Sequence, residues 1–251
     1  MRIAKSGNEI HSVEDWFRCA PPKMGKLHWK DGRSAKELAQ SWFRLGVPKP
    51  PDELSALLES TFGTGIIFDE AKPECVIELD EFPGEHRNCD LVVLCRSGTR
   101  QIAINIEAKA DEPFGENTVG IYYEQKANSQ SNVPERIRQL SVALFGRDPD
   151  EAIRKLRYQL LHAAAATLIE AAANKAEFGL LLIHEFRSSN LNMDKLAQNA
   201  TDWTNFVRAF PELAGAQIEK NQILGPVSVA GGGRVPCSVP LYLGKLVTEL
   251  K

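Results

Sequence analysis

The feature that most constrains this chain is a pair of apolar runs separated by a short polar turn. Cys89–Arg96 and Gln101–Lys109 flank Ser97-Gly98-Thr99-Arg100. Runs rich in Val, Ile and Leu, bounded by turn residues, read as two antiparallel strands of a hairpin. Gly98 supplies the positive φ that a two-residue turn requires. With Gly98 and Thr99 at the centre, Ser97 faces Arg100, and opposing positions sum to 197. Asp90 then falls across from Glu107, where Cβ atoms lie ~4.5–5.5 Å apart and like charges repel unless something offsets them. Lys109 shares the face of Glu107, because side chains alternate along a strand. The other face carries Leu91, Val93, Cys95, Ile102, Ile104 and Ile106, wholly apolar and fit for burial. A loop shorter or longer by one residue would set Asp90 against an isoleucine or alanine.

Around this hairpin the pattern reads as alternating helices and strands. Ser12 caps a helix through Trp16, Phe17 and Cys19 that stops at Pro21-Pro22. Ser34 and Glu37 have the spacing of a capping box, in which each side chain satisfies the other's backbone N–H. A third helix starts at Asp52, after Pro48, Pro50 and Pro51. Ile66–Phe68 and Cys75–Leu79 read as strands, followed by a turn at Phe82-Pro83-Gly84. A polar loop with a short helix around Tyr122-Tyr123 fills 113–132. Helices are expected at 134–145 and at 149–174, the latter with Asp148 as cap and Pro149 in its first position. Glu177–Phe186 reads as a buried strand, and Asn192 caps a helix to about Phe210. Ile223–Val229 and Val235–Leu243 read as a closing strand pair around Gly231-Gly232-Gly233. The expectation is an α/β protein with a mixed central sheet flanked by helices. Residues 1–50 would form a helical N-terminal extension on an α/β domain spanning 51–251, the whole one compact unit.

Composition narrows the function classes. The chain has 251 residues and a formal net charge of −3, with 43% hydrophobic residues, as ordinary globular domains have. No apolar run reaches the ~20 residues of a membrane helix, and the first residues lack the apolar stretch of a secretory signal. A cytoplasmic protein without a membrane partner is expected. Cys19, Cys75, Cys89, Cys95 and Cys237 include no C-x-x-C pair, which argues against a disulfide scaffold or a thiolate zinc site. Charge is uneven: residues 1–50 hold ten Lys/Arg against five Asp/Glu, and the remainder 20 against 28. A basic N-terminal part on an acidic body is either a phosphate-facing surface or a solvated face.

Two carboxylates and a lysine at one end of a half-buried sheet carry the chemistry. Hard oxygen ligands bind Mg²⁺ through one or two carboxylates plus water and phosphate. Such a cation cancels the repulsion and polarises a phosphoryl oxygen, and a nearby ammonium orients or helps deprotonate a water. The structural alternative is a Glu-x-Lys pair at a strand edge, with Asp90 merely opening a strand. Asp90 followed by Glu107-Ala108-Lys109 on consecutive strands, after a helix and an acidic strand, resembles the PD-(D/E)XK, or restriction-endonuclease-like, nuclease superfamily. The resemblance spans residues 52–186, whose order of helix, three strands, helix and strand is similar to that family's core. It implies that Asp90 and Glu107 bind Mg²⁺ (Mn²⁺ substituting), helped by the carbonyl of Ala108, and that Lys109 serves the attacking water. Cys89 stands where the family's name has proline. Some members add a helix glutamate, for which Glu59 is the nearest counterpart and Glu53 a poorer one. Some also place Gln and Tyr on the following helix. Here Tyr158 and Gln159 are adjacent rather than a turn apart, so Gln159 is either a substrate-side residue or a buried glutamine bonding its neighbours.

The function expected from the resemblance is metal-dependent hydrolysis of phosphodiester bonds in nucleic acid, DNA first. Arg87, Arg136 and Arg138 would contact phosphates, and a homodimer would suit cuts on both strands. The alternative is a catalytically inactive nuclease-like module for binding or assembly. A hydrolase using Cys89 with His86 is a third class, although neighbours on an extended chain do not imply aligned side chains. The glycine run before Arg234 lacks the lysine and helix of a P-loop.

Overall fold

In the computed structural model, which describes residues 1–84, 86–110, 112–188 and 192–250, the two apolar runs form β4 (Arg87–Ser97) and β5 (Arg100–Lys109), antiparallel neighbours. Ser97 pairs with Arg100 and Leu91 with Ile106, in the expected register, and Gly98 holds φ +60° in the turn. β3 (Ile66–Ile77) lies antiparallel on the other side of β4. β6 (Phe178–Arg187) runs parallel to β5, and β8 (Leu241–Glu249) runs parallel to β6. β7 (Gln222–Val227) closes that edge, antiparallel to β8. At the opposite edge β1 (Arg2–Lys5) runs parallel to β3 and pairs with the short β2 (Asn8–Glu9). The result is an α/β architecture, one mixed sheet in the order β2-β1-β3-β4-β5-β6-β8-β7.

Helices cover both faces. The apolar hairpin face packs on α1 (Val13–Cys19), α2 (Ser34–Trp42) and α3 (Asp52–Phe62), with Ile102, Ile104 and Ile106 in one cluster with Trp42, Leu54 and Leu58. Each such aliphatic side chain, fully buried, contributes about 1.5–3 kcal/mol relative to exposure. The other face packs on α5 (Val133–Phe145), α7 (Tyr158–Ala173) and α8 (Met193–Arg208), with α4 (Val119–Ala127) and α6 (Glu151–Arg154) beside them. α7 lies close on the sheet because Ala163, Ala164, Ala165 and Ala166 are small and fully buried. A Cβ on Gly179 of β6 would stand 3.2 Å from Thr167 Cγ2. Among the described residues no helix is long and apolar enough to cross a membrane.

Several elements depart from the sequence pattern, each for a tertiary reason. Ser12 does cap α1, accepting the Asp15 N–H at 3.0 Å. The Ser34–Glu37 box does not form: Ser34 is already helical and its hydroxyl turns to Glu112, while Glu37 accepts the Gly32 N–H. The helix expected over 149–174 is split. Asp150, not Asp148, caps α6. Thr118 then bridges to Arg157, and Val119 N–H and Tyr158 N–H bond across to Leu156 and Asn117. That pairing pulls 155–157 out of helix and restarts it at Tyr158. The strands expected at Ile66–Phe68 and Cys75–Leu79 are one strand with a register shift between Phe68 and Glu70. Of the closing pair, the first strand falls where expected, at Gln222–Val227, and the second is displaced toward the C-terminus, because Leu241 and Leu243 join the core beside β6. Residues 1–50, expected to be helical, open with β1 in the sheet.

Candidate functional site

Asp90 lies near the start of β4 and Glu107 and Lys109 at the end of β5, so antiparallel pairing brings all three to one end of the sheet. The ladder stops at Leu91↔Ile106, one pair short of the expected Asp90–Glu107 partnership. There the Asp90 carboxylate itself takes the backbone donor: Ala108 N–H donates to Asp90 Oδ2 at 2.8 Å. A matching gap opens toward β3, between Pro73↔Leu91 and Cys75↔Cys89, and Glu74 fills it at φ +49°. Cys89 packs on the α7 side whereas Leu91 packs on the opposite side. The alternation of β4 is thus reset at Asp90 without an extra residue, since the register toward β3 is the same on both sides of it. The reset turns Arg87 toward Glu107.

Glu107 is the hub, with only 1% of its surface exposed. Its Oε1 accepts from Lys109 Nζ at 2.8 Å and from Gln159 Nε2 at 2.7 Å, and its Oε2 accepts from Arg87 Nη2. Gln159 reaches it because the break at 155–157 starts α7 beside the end of β5. Lys109 also lies over the Phe114 ring, 5.4 Å from its centroid. The charges settle unequally. Burial raises the Glu107 carboxyl, but Arg87 and Lys109 outweigh that and hold it below its ordinary value. Among the described residues Asp90 has no such partners at bonding distance; burial, then the charge of Glu107, pushes its carboxyl up to about 8. Burial alone would lower the Lys109 ammonium, but Glu107 and Asp90 raise it. Glu74 is pushed up to about 7, first by burial and further by Glu107, against a hydrogen bond from Asn88.

The cluster opens on a cleft of about 390 Å³ bordered by Glu74, Asp90, Glu107 and Lys109 and, from the N-terminal segment, by His28 and Ser34. Asp90 and Glu107 are hard oxygen donors of the kind that suit Mg²⁺, and the Ala108 carbonyl lies between Glu107 and Lys109 in sequence; burial and the charge of Glu107 favour the protonated form of Asp90. Among the described residues no group of three His, Cys, Asp or Glu side chains is arranged as a ready-made metal site.

Other expected residues are placed as follows. Arg87 ion-pairs with Glu107, and Gln159 contacts the cluster rather than only its own helix. Arg136 is bound to Asp80, and Arg138 ion-pairs with Glu135. Glu59 accepts the Gly65 N–H and Glu53 pairs with Arg44; neither borders the cleft. The Cys89 thiol is pushed up to about 12, chiefly by burial, which removes the thiolate a cysteine nucleophile needs. The sequence reading missed Glu74, whose approach depends on its left-handed backbone, and His162, which packing alone brings beside Arg87. The one signal for Glu74 was the acidic character of the strand before Asp90.

A family model described as Domain of unknown function (DUF6946) matches residues 9–250. The chain belongs to that family. No curated protein and no solved structure matches it.

Proposed function

We propose that this chain is a divalent-metal-dependent nuclease that hydrolyses phosphodiester bonds in nucleic acid, with DNA as the first substrate to test. The observation that carries the reading is the convergence of Asp90, Glu107 and Lys109 at one end of β4 and β5, on the wall of an open cleft. The order α3, β3, β4, β5 and, after the inserted helices α4, α5 and α6, α7 and β6 supports the resemblance to the PD-(D/E)XK superfamily. Asp90 and Glu107, with the Ala108 carbonyl, would hold Mg²⁺ or Mn²⁺. Such a cation supplies charge stabilisation to a phosphoryl oxygen and acidifies water.

The side chains divide the remaining work. Asp90 would hold the cation as a carboxylate, since a bound cation would offset the neighbouring charge of Glu107 that favours its protonated form. Lys109 stays protonated between Glu107 and Asp90, so it orients the attacking water and offsets charge in the transition state instead of taking a proton. Gln159 holds Glu107 Oε1 in place from α7. Arg87 occupies Glu107 Oε2, so it competes with a cation for that oxygen and, once released, faces a substrate phosphate.

The test is calorimetric titration of Mn²⁺ into the wild type, Asp90→Ala and Glu107→Ala, followed by cleavage of single- and double-stranded DNA and of RNA. Binding lost in both variants, with cleavage lost in Lys109→Ala, is the expected result. Undiminished binding in the folded double variant overturns the reading. The Arg87–Glu107 ion pair favours a second reading, a nuclease-like module that binds without cutting, since the guanidinium already neutralises one carboxylate. Metal binding without turnover on any of these substrates would select it.

A further inference from the structure

A second groove, of about 430 Å³, lies beside the carboxylate cleft and shares Arg87 and Asn88 with it. A third depression, bordered by Tyr122, Tyr158, Gln159 and His162, links the two. The cleft mixes carboxylates with cations, whereas this groove is lined by cations, rings and neutral polar groups. His86, Arg87, Lys126 and Arg136 line it, and none of the described residues lining it is acidic. Three rings form one array at its wall: Tyr122 and Tyr158 have centroids 4.9 Å apart, and Tyr158 and His162 4.8 Å apart. Lys126 follows Tyr122 by four residues on α4, hence on the same helix face, and has no ion-pair partner among the described residues.

Two buried polar atoms there are unpartnered, Nε of Arg87 and Nδ1 of His162. Buried polar groups normally find a hydrogen-bond partner, so donors and acceptors left open on residues lining a groove point to a ligand with complementary edges. His162 stays neutral, first by burial and then under the charges of Arg87, Lys109 and Arg136. One ring nitrogen therefore donates and the other accepts. Aromatic faces, a neutral polar edge and flanking cations are what an unstacked nucleotide needs: rings to stack on, an edge to pair with and charges for its phosphate. A base inside a duplex cannot enter such a concavity without leaving its stack.

We propose that this groove is a nucleotide subsite. It takes one unpaired nucleotide of a strand whose adjoining phosphodiester lies over Asp90 and Glu107. The placing of that phosphodiester rests on the nuclease reading; the recognition of the unpaired nucleotide does not.

The experiment is fluorescence anisotropy with labelled ten-nucleotide dT and U strands and a duplex of equal length, in EDTA at one fixed salt concentration. Chelation prevents turnover and makes the readout independent of metal binding. Single strands are expected to bind at least tenfold more tightly than the duplex. Tyr122→Leu, which keeps an apolar contact with the core, is expected to weaken binding about tenfold, the scale for losing one stacked base, and Lys126→Glu, on the surface of α4, is expected to weaken it by removing a phosphate-facing charge. Circular dichroism establishes that both variants are folded. Equal affinity of both variants and wild type, preference for the duplex, or no single-strand binding by the wild type overturns the subsite. Mn²⁺ titration of the same variants is expected to be unchanged. Loss of the subsite with Mn²⁺ binding intact leaves the nuclease reading standing; intact strand binding without Mn²⁺ binding does the reverse.

Discussion

Two clusters of buried charge stand side by side in this sheet, and they are built for different ends. In one, Glu107, Asp90, Lys109 and Arg87 meet at the edge of a cleft. In the other, one strand over, Glu185 is held by Lys245 at 2.7 Å and by Arg187. Lys109 and Glu185 are even paired in register across β5 and β6. The second cluster sets two cations on one carboxylate. The first sets two cations against Asp90 and Glu107, with Glu74 beside them, and leaves Asp90 without a cation at bonding distance among the described residues. The contrast teaches that burial of charge does not mark a site. An uncompensated carboxylate open to a cleft does, because it is poised to exchange its proton for another cation.

The sharpest way to break this comparison is to remove the lysine from each cluster. Lys109→Ala is expected to lower divalent-dependent cleavage by about 10²–10³-fold, the loss seen when one donor preorganised toward developing charge is deleted. Lys245→Ala should instead act on stability, since unpairing a buried ion pair costs about 3–5 kcal/mol. That is a fall in Tm on the order of 10 °C for a chain of this size, with cleavage per folded molecule retained. Cleavage rates and thermal unfolding on the same preparations check both. Cleavage lost at unchanged Tm in Lys245→Ala would erase the distinction.

Next in size is the pH dependence of stability, to which Glu74, pushed up to about 7, contributes with the same sign as the more strongly raised Asp90. The folded-state value of Asp90, about 8, lies above the ordinary aspartate value. The folded protein therefore binds more protons than the unfolded chain between those values. Stability is full below the unfolded value of roughly 4 and is lost as pH rises toward 8. In EDTA the wild type should lose Tm across that window, and Asp90→Asn should lose less. Saturating Mn²⁺ should flatten the wild-type curve and leave the variant unmoved. Parallel curves for the two proteins in EDTA would contradict the uncompensated carboxylate.

Much of this was legible before the structure. The hairpin register, the apolar face and the gathering of Asp90, Glu107 and Lys109 follow from period-two patterning and one glycine turn, because both are local. The reset at Asp90 was not legible, since it depends on Glu74 adopting φ +49° on a strand paired from elsewhere. β1 was missed because four residues hold too little pattern, and its partner residues are 68 positions away, Arg2 facing Glu70 and Ile3 facing Ala71. The groove beside the site was hidden for the same reason. Tyr122, Tyr158 and His162 meet only because the Thr118–Arg157 bridge breaks one helix and starts another. The ion pair of Lys245 could not be read from a strand whose other residues look like plain core.

Arg87 sharpens the comparison at smaller scale. In the saturated cluster an added cation has no oxygen to take; in the open one Arg87 holds the oxygen a cation needs. Arg87→Met should therefore tighten Mn²⁺ binding about tenfold, or about 1.4 kcal/mol, while weakening binding of a dT strand. Calorimetry and anisotropy on the same variant separate the two effects. Weaker Mn²⁺ binding would mean that Arg87 supports Glu107 rather than competing for it.

The smallest expected effect concerns which third carboxylate belongs to the open cluster. Helix position in the sequence favours Glu59, yet its carboxylate accepts the Gly65 N–H and does not border the cleft. Glu74 borders it, and its charge adds to the upward push on Asp90. Glu74→Gln removes a like charge from beside Asp90. The pH at which the wild type loses stability should shift downward, since Asp90 then ionises more readily. The same substitution removes attraction for a cation and should weaken Mn²⁺ binding. Glu59→Gln should leave both quantities unchanged. The pair of variants separates two meanings of "acidic neighbour", one set by sequence order and one by the left-handed turn of a single residue. A Glu59→Gln variant that alone weakens Mn²⁺ would show that α3, not β3, completes the carboxylate set.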